Sequence, residues 1–150
     1  MSEVVYQLYT AVNVIYVKME VKIDTKEKFT VVTPVTPALS ANIAAKLAET
    51  CSEFLQKEVR NIVLNLEPIT EIEPEAAKTL AMLQQSFYEN SASFVLCNLK
   101  EPIEAAFEQE ELLDFMNITP TESEAWDIVQ MEEIERELMD GDDIEFEKPE

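Results

Sequence analysis

The sequence predicts an α/β fold, a mixed β-sheet of about four to five strands with four helices packed against it. Three observations carry that prediction. An apolar, β-branched stretch, Arg60–Leu66, runs without alternation, as a strand buried on both faces does, and Ala92–Cys97 reads as a further strand. Segments with apolar residues at helical spacing lie between and after them. A strand pair precedes this alternation, so the sheet is mixed and not purely parallel.

The elements follow in order. Met19 to Thr25 alternates apolar and polar residues, with Val21 and Ile23 facing inward. Lys26-Glu27-Lys28 turns the chain and Phe29–Thr33 returns, after which Pro34 and Pro37 are expected to break the ladder. Ser40 caps a helix that runs to Lys57, with Ile43, Leu47, Cys51, Phe54 and Leu55 on one side. Arg60–Leu66 is the third strand. Pro74 opens a second helix, because its missing N–H would have no partner at the first helical position. That helix reaches Asn90 and turns Ala76, Leu80, Leu83 and Phe87 inward. Ala92–Cys97 is the fourth strand and Pro102–Gln109 a short helix. Leu112, Leu113 and Phe115 form a packed loop, and Asn117-Ile118-Thr119 is a final edge strand. A last helix starts at Pro120 or Thr121 and ends near Asp140, with Ala125, Ile128, Met131, Ile134 and Leu138 along one stripe. The stripe is longer than a small sheet needs, so its distal half is free to pack on a second copy or a partner helix.

A chain of 150 residues, 47% of them apolar, suits one domain with a sizeable core. Residues 19–139 form that domain. Residues 1–18 are an N-terminal extension that adds an edge strand, offers a dimer face or has little function, and residues 140–150 are an acidic tail expected to be disordered. The single glycine, Gly141, leaves tight turns to Asn, Asp, Pro or Ser and excludes a glycine-rich phosphate loop.

Charge narrows the function further. The 31 acidic residues outweigh 11 basic ones, for a net charge of −20 with no histidine. Duplex nucleic acid is bound by Lys and Arg neutralising phosphates, and anionic membrane surfaces attract the same residues, so both are disfavoured as partners. The acids are uneven: residues 120–150 hold 13 acids against Arg136 and Lys148, a net of −11 out of −20. Cys51 and Cys97 lie in apolar segments without a CxxC spacing and read as small buried residues in a reducing cytosol. The most apolar N-terminal run, Val4–Val17, is interrupted by Gln7, Thr10 and Asn13 and falls short of the roughly 20 residues a membrane span needs. It also lacks the basic start and cleavage site of a secretion signal. A cytoplasmic protein is expected.

Over residues 19–130 the chain resembles the STAS domain, the fold of bacterial anti-sigma factor antagonists and of sulfate-transporter tails. Pro37-Ala38-Leu39-Ser40 stands where the family writes Gly-Glu-Leu-Asp, and the helix Asn42–Phe54 follows it. Asn61–Leu66 resembles the family's Val-Leu-Asp-Leu strand, with Asn65 in the place of the aspartate. Ser93-Phe-Val-Leu-Cys-Asn98 with Pro102 resembles the next strand and helix. The best local match is Leu112-Leu113-Asp114-Phe115-Met116-Asn117-Ile118 followed by Thr121-Glu-Ser-Glu-Ala-Trp126, similar to the family's leucine-rich link and its Glu-Glu-Ala-Leu helix opening. Glu73-Pro74-Glu75-Ala76 sits on the family's Asp-Ser-Ser-Gly motif, and Glu75 falls where the family is phosphorylated. The resemblance implies a non-enzymatic module that docks a kinase-type anti-sigma factor and so frees a sigma factor. The acceptor serine is missing.

The residues themselves agree with a module that has no catalytic role. Without histidine, Ser/His and Cys/His nucleophilic arrangements are impossible. Glu71, Glu73 and Glu75 offer oxygen ligands of the kind Mg²⁺ or Ca²⁺ takes. The same acids also simply complement the positive end of a helix dipole, and on that reading the chain has no metal and no cofactor. Glu75 has two readings as well: a permanent carboxylate in place of a phosphoserine, or one more favourable acid in a motif that has drifted. The partner-binding face is expected to comprise Pro37, Leu39 and Ser40 with Glu73, Pro74, Glu75, Lys78 and Thr79, because the resemblance places both segments at one end of the sheet. A kinase-type anti-sigma factor is the implied partner and a second copy of the chain another. The alternatives are a soluble STAS subunit of a membrane transport complex and a carboxylate-based metal or small-ligand binder.

Overall fold

Strands that lack polar residues on either side must be covered twice, and helices on both faces of the sheet do so here. The computed structural model describes residues 3–12 and 15–140. In chain order it contains strands β1 (Glu3–Val12), β2 (Ile15–Thr25), β3 (Thr30–Val35) and β4 (Ala38–Leu39), then helix α1 (Ala41–Ser52). Strands β5 (Ile62–Asn65) and β6 (Glu71–Ile72) lead into α2 (Pro74–Glu89). Strand β7 (Phe94–Cys97), helix α3 (Glu101–Gln109), strand β8 (Ile118–Thr119) and helix α4 (Glu122–Asp140) complete it, with 3₁₀ turns at Glu53–Gln56 and Leu113–Phe115.

The main sheet has the order β1-β2-β3-β5-β7-β8, and β4 pairs with β6 in a separate two-stranded sheet. β1, β2 and β3 are antiparallel neighbours, whereas β3, β5, β7 and β8 run parallel. The fold class is therefore the expected α/β arrangement with a mixed sheet, but the main sheet has six strands where about four to five were expected. Part of the difference lies at the N-terminus. β2 begins at Ile15, so the expected boundary at residues 18 and 19 falls inside it, and β1 lies along its outer edge. The alternation of Met19–Thr25 in fact continues upstream through Val17 and Ile15. The expected tail, apart from Asp140 at the end of α4, lies outside the described residues.

Pro34 does not break the ladder. It lies within β3, opposite Val21 of β2. The N–H of Thr30 points to β5, where it donates to the Asn61 carbonyl, and even-numbered residues of β3 share that direction. Pairing with β5 ends at Val32, so at Pro34 no N–H is needed.

The two faces of the sheet have separate cores. Val21, Val32, Ile62, Leu64, Phe94 and Leu96 face α1, α2 and α3, meeting Leu47, Leu80, Leu83, Phe87, Ile103 and Phe107. Val31, Val63, Val95 and Cys97 face α4, meeting Ala125 and Val129, and Phe29 stacks on Trp126 with ring centroids 5.1 Å apart. Turns without glycine adopt left-handed backbone at Ser91, Asn98 and Glu111, with φ of 60°, 60° and 61°. Glu111 is outside the residue types expected for such turns.

Large apolar residues are exposed at Phe115 and along the distal half of α4. Phe115, expected in a packed loop, is 74% exposed. The stripe expected along α4 is split: Ala125 is buried and Ile128 half-buried, but Met131, Ile134 and Leu138 are 52%, 56% and 63% exposed. The inward face of the distal half belongs to Glu132, Glu133 and Arg136, which meet polar groups at the starts of the strands.

Leu64 and Leu80 are both fully buried, and truncating either to Ala should cost about 2–5 kcal/mol through loss of contacts and the cavity left behind. Urea unfolding checks this; a cost below about 1 kcal/mol would contradict the packing.

Candidate partner-binding site

Parallel strands end on the same side, so the segments leaving β3 and β5 emerge together. Ala38 pairs with Glu71 and Leu39 with Ile72 in the parallel β4–β6 ladder. The Pro37 carbonyl accepts from the Thr70 N–H at 2.8 Å, the Glu71 N–H at 3.0 Å and the Thr70 hydroxyl at 3.1 Å. The Glu73 N–H donates to the Leu39 carbonyl at 3.0 Å. A depression of about 120 Å³ lies between the two segments, lined by Ala38, Leu39, Ser40, Glu71, Ile72 and Glu73.

Two helix N-termini meet at this ladder. Ser40 is the N-cap of α1, its hydroxyl oxygen accepting from the Ile43 N–H at 3.2 Å. Glu73 precedes Pro74 at the start of α2, yet its carboxylate does not cap its own helix. It reaches across and accepts from the Ala41 N–H, the first of α1, at 2.8 Å. α1 has no acid in its own first turn, so Glu73 supplies from another segment the negative charge that the dipole favours there.

The remaining expected site residues fall around this junction. Pro37, Glu73, Pro74, Glu75 and Lys78 are exposed, and Ser40 and Thr79 are half-buried. Leu39 differs: it belongs to the main core and is 1% exposed, so it supports the face from beneath and meets the depression with little of its surface. Lys78 lies 3.8 Å from Glu75 and 3.7 Å from Glu110, which links α2 to the end of α3. Exposed pairs of this kind contribute little stability. Thr79 donates its hydroxyl to the Glu75 carbonyl at 3.0 Å. Thr70, Ile72 and Glu110 also belong to this surface. The sequence pattern marks none of them, because they arrive through the β4–β6 pairing and the α2–α3 contact.

Among the described residues no group of three or more His, Cys, Asp or Glu side chains is placed to hold a metal ion. Of the three acids weighed as a cluster, Glu73 is already committed to α1. Burial pushes the Cys51 thiol up to about 12. Burial, and then the negative charges of Glu122 and Glu67, do the same for Cys97. Neither thiol supplies a nucleophile near neutral pH.

A second polar assembly occupies the opposite end of the parallel strands. Ser93 donates its hydroxyl to Glu132 at 2.6 Å, and Asn117 donates to the same carboxylate at 3.0 Å. Asn61 donates to Glu133 at 2.8 Å and accepts from the Ser93 N–H at 2.8 Å. Arg136 donates to the Ser93 hydroxyl at 3.3 Å. A groove of about 640 Å³ runs beside it, lined by both signs of charge, including Lys28, Arg60, Glu58 and Glu137.

Comparison with known proteins decides the family. The STAS domain family profile matches residues 20–125, well over half the chain. The chain belongs to the STAS domain family. No curated protein sequence matches it. Among solved structures, a Thermotoga maritima protein assigned to the anti-sigma factor antagonists is 20% identical, covering 72% of this chain and 92% of its own, with a TM-score of 0.63. Unphosphorylated SpoIIAA, an anti-sigma factor antagonist known from Bacillus, is 16% identical over 73% of this chain and 96% of its own, with a TM-score of 0.59. The murine Slc26a9 anion transporter is 12% identical over 85% of this chain but only 22% of its own, with a TM-score of 0.61. At these identities the likeness is one of fold.

Two outcomes test this STAS domain's site. Ser40→Ala should cost about 1 kcal/mol of stability, the ordinary worth of an N-cap, as read from the urea midpoint. A disulfide reagent at pH 8 should modify Cys51 and Cys97 only as fast as the protein unfolds, since raised thiol pKa values leave almost no thiolate there. Rapid labelling of either native thiol would overturn the burial assigned to it.

Proposed function

We propose that the protein is a non-catalytic, cytoplasmic protein–protein interaction module of the anti-sigma factor antagonist type, working without the usual phosphorylatable serine. Its partner is an anti-sigma factor of the kinase type. The contact face is the exposed part of the β4–β6 junction with the first turns of α2: Pro37, Ser40, Glu73, Pro74, Glu75, Lys78 and Thr79.

One observation carries the reading. The start of α2, which the family resemblance places on the acceptor motif, holds Glu73, Pro74, Glu75 and Ala76, and the nearest hydroxyls are spent on backbone carbonyls. Thr70 donates to Pro37 and Thr79 to Glu75, so neither projects into the space before the helix, where backbone N–H groups and the dipole would receive a phosphate. SpoIIAA is known in unphosphorylated and phosphorylated forms. This chain would have a single form. Glu75, with 71% of its side chain exposed, then holds a fixed single negative charge where a phosphoserine would carry about −1.5 to −2.

A second reading has its own support. The likeness to Slc26a9 covers 85% of this chain, and on that basis the protein would be a soluble STAS subunit of a membrane transport complex. The same face would then meet a transporter instead of a kinase.

Incubation with a kinase-type anti-sigma factor and ATP should add no phosphate to the segment from Thr70 to Thr79, as read by intact mass and peptide mapping. The triple change Pro74→Ser, Glu75→Ser and Ala76→Gly should create an acceptor. Phosphate on unmodified Thr70 or Thr79 would contradict the switchless reading. Lys78→Glu should weaken capture of the anti-sigma factor at least tenfold with no change in Tm, because its ammonium is exposed and only loosely paired. Unaltered capture would place the contact elsewhere.

A further inference from the structure

The outer face of α4 carries an apolar stripe that the fold itself does not use. Ala125 and Val129 face the sheet, and at 100° per residue Glu132 and Arg136 continue the same inward line. Those two and Glu133 are held by Ser93, Asn61 and Asn117, two of which, Ser93 and Asn61, are themselves 1% and 5% exposed. Turning α4 to bury its distal apolar residues would strand these polar groups and break several charge-assisted hydrogen bonds. The helix is thus locked in the phase that points Met131, Ile134 and Leu138 at solvent, 52%, 56% and 63% exposed. Their spacing of three and four residues makes one continuous stripe over two turns.

Charge says what covers it. The stripe is flanked by Asp127, Glu135 and Glu137, and α4 holds eight acids against the single base Arg136. A second copy would bring the same acidic rim against this one, with −20 on each chain. Residues 141–150 add five acids and one base, so they are electrostatically a poor cover as well. We propose that the Met131–Ile134–Leu138 stripe is a docking surface for a basic amphipathic helix of a protein partner, its apolar residues on the stripe and its Lys or Arg residues against the flanking acids. This surface lies on the opposite side of the sheet from α1 and α2, so it can be filled independently of the face around Glu73.

The test uses the full chain and a fluorescent synthetic helix of ~18 residues with leucines at matching spacing and lysines beside them. Fluorescence anisotropy at physiological ionic strength should show saturable binding that Ile134→Glu weakens at least tenfold, with unchanged circular dichroism and Tm. Leu138→Ser should act in the same direction. A peptide with glutamates in place of the lysines should not bind. Equal or tighter binding to Ile134→Glu would show attraction by net charge alone and overturn the proposal. Equal binding of the glutamate peptide would also overturn it. So would sedimentation equilibrium showing a dimer that Ile134→Glu dissociates, because the occupant would then be a second copy.

Discussion

Double-sided burial of β5 and β7 is the constraint from which the rest of the architecture follows. Every side chain from Ile62 to Leu64 and from Phe94 to Cys97 is buried, four toward one face and three toward the other. A parallel pair of this kind needs a crossover, and a crossover helix covers only the face on which it lies. α1, α2 and α3 take one face, so α4 has to cover the other alone. Because the strands are parallel, all their outgoing segments gather at one end, which is where the N-termini of α1 and α2 come together. The candidate site exists at that end because the core demands the topology.

At that end, backbone pairing joins the two segments. The Pro37 carbonyl takes three donors from Thr70 and Glu71, and Glu73 closes the junction through its own N–H and its carboxylate. A negative charge on the Ala41 N–H satisfies one of the donors that every helix start leaves open. The start of α2 is therefore tied to the start of α1, and Pro74 fixes the backbone between them.

Much of this was legible in the sequence, for identifiable reasons. Ser40 as a cap, Pro74 as a helix start and the unalternated stretch that forms β5 all express local preferences that tertiary packing had no cause to override. Pro34 misled because its cost depends on whether a neighbour strand needs its N–H, which only the register with β5 decides. Leu39 was placed on the surface because a two-residue strand between Pro37 and Ser40 has too short a pattern to show which side faces inward. The length of the α4 stripe already leaves its distal half over for a second copy or a partner helix, and the buried Ser93 and Asn61 explain why Glu132 and Glu133 take the inward side there. Glu73 reaching Ala41 is a contact across 32 residues that no local pattern records.

The two segments forming the candidate face are one rigid unit joined through Glu73. Native-state amide hydrogen exchange tests it most directly, because it reads the opening of individual N–H groups. The Ala41, Glu71 and Glu73 amides should be protected together in the wild-type protein, and Glu73→Ala should speed the exchange of all three by about tenfold or more, with the central strands unaffected. Exchange of Glu71 and Glu73 at unstructured-chain rates in the wild type would contradict the account, as would a Glu73→Ala effect confined to Ala41.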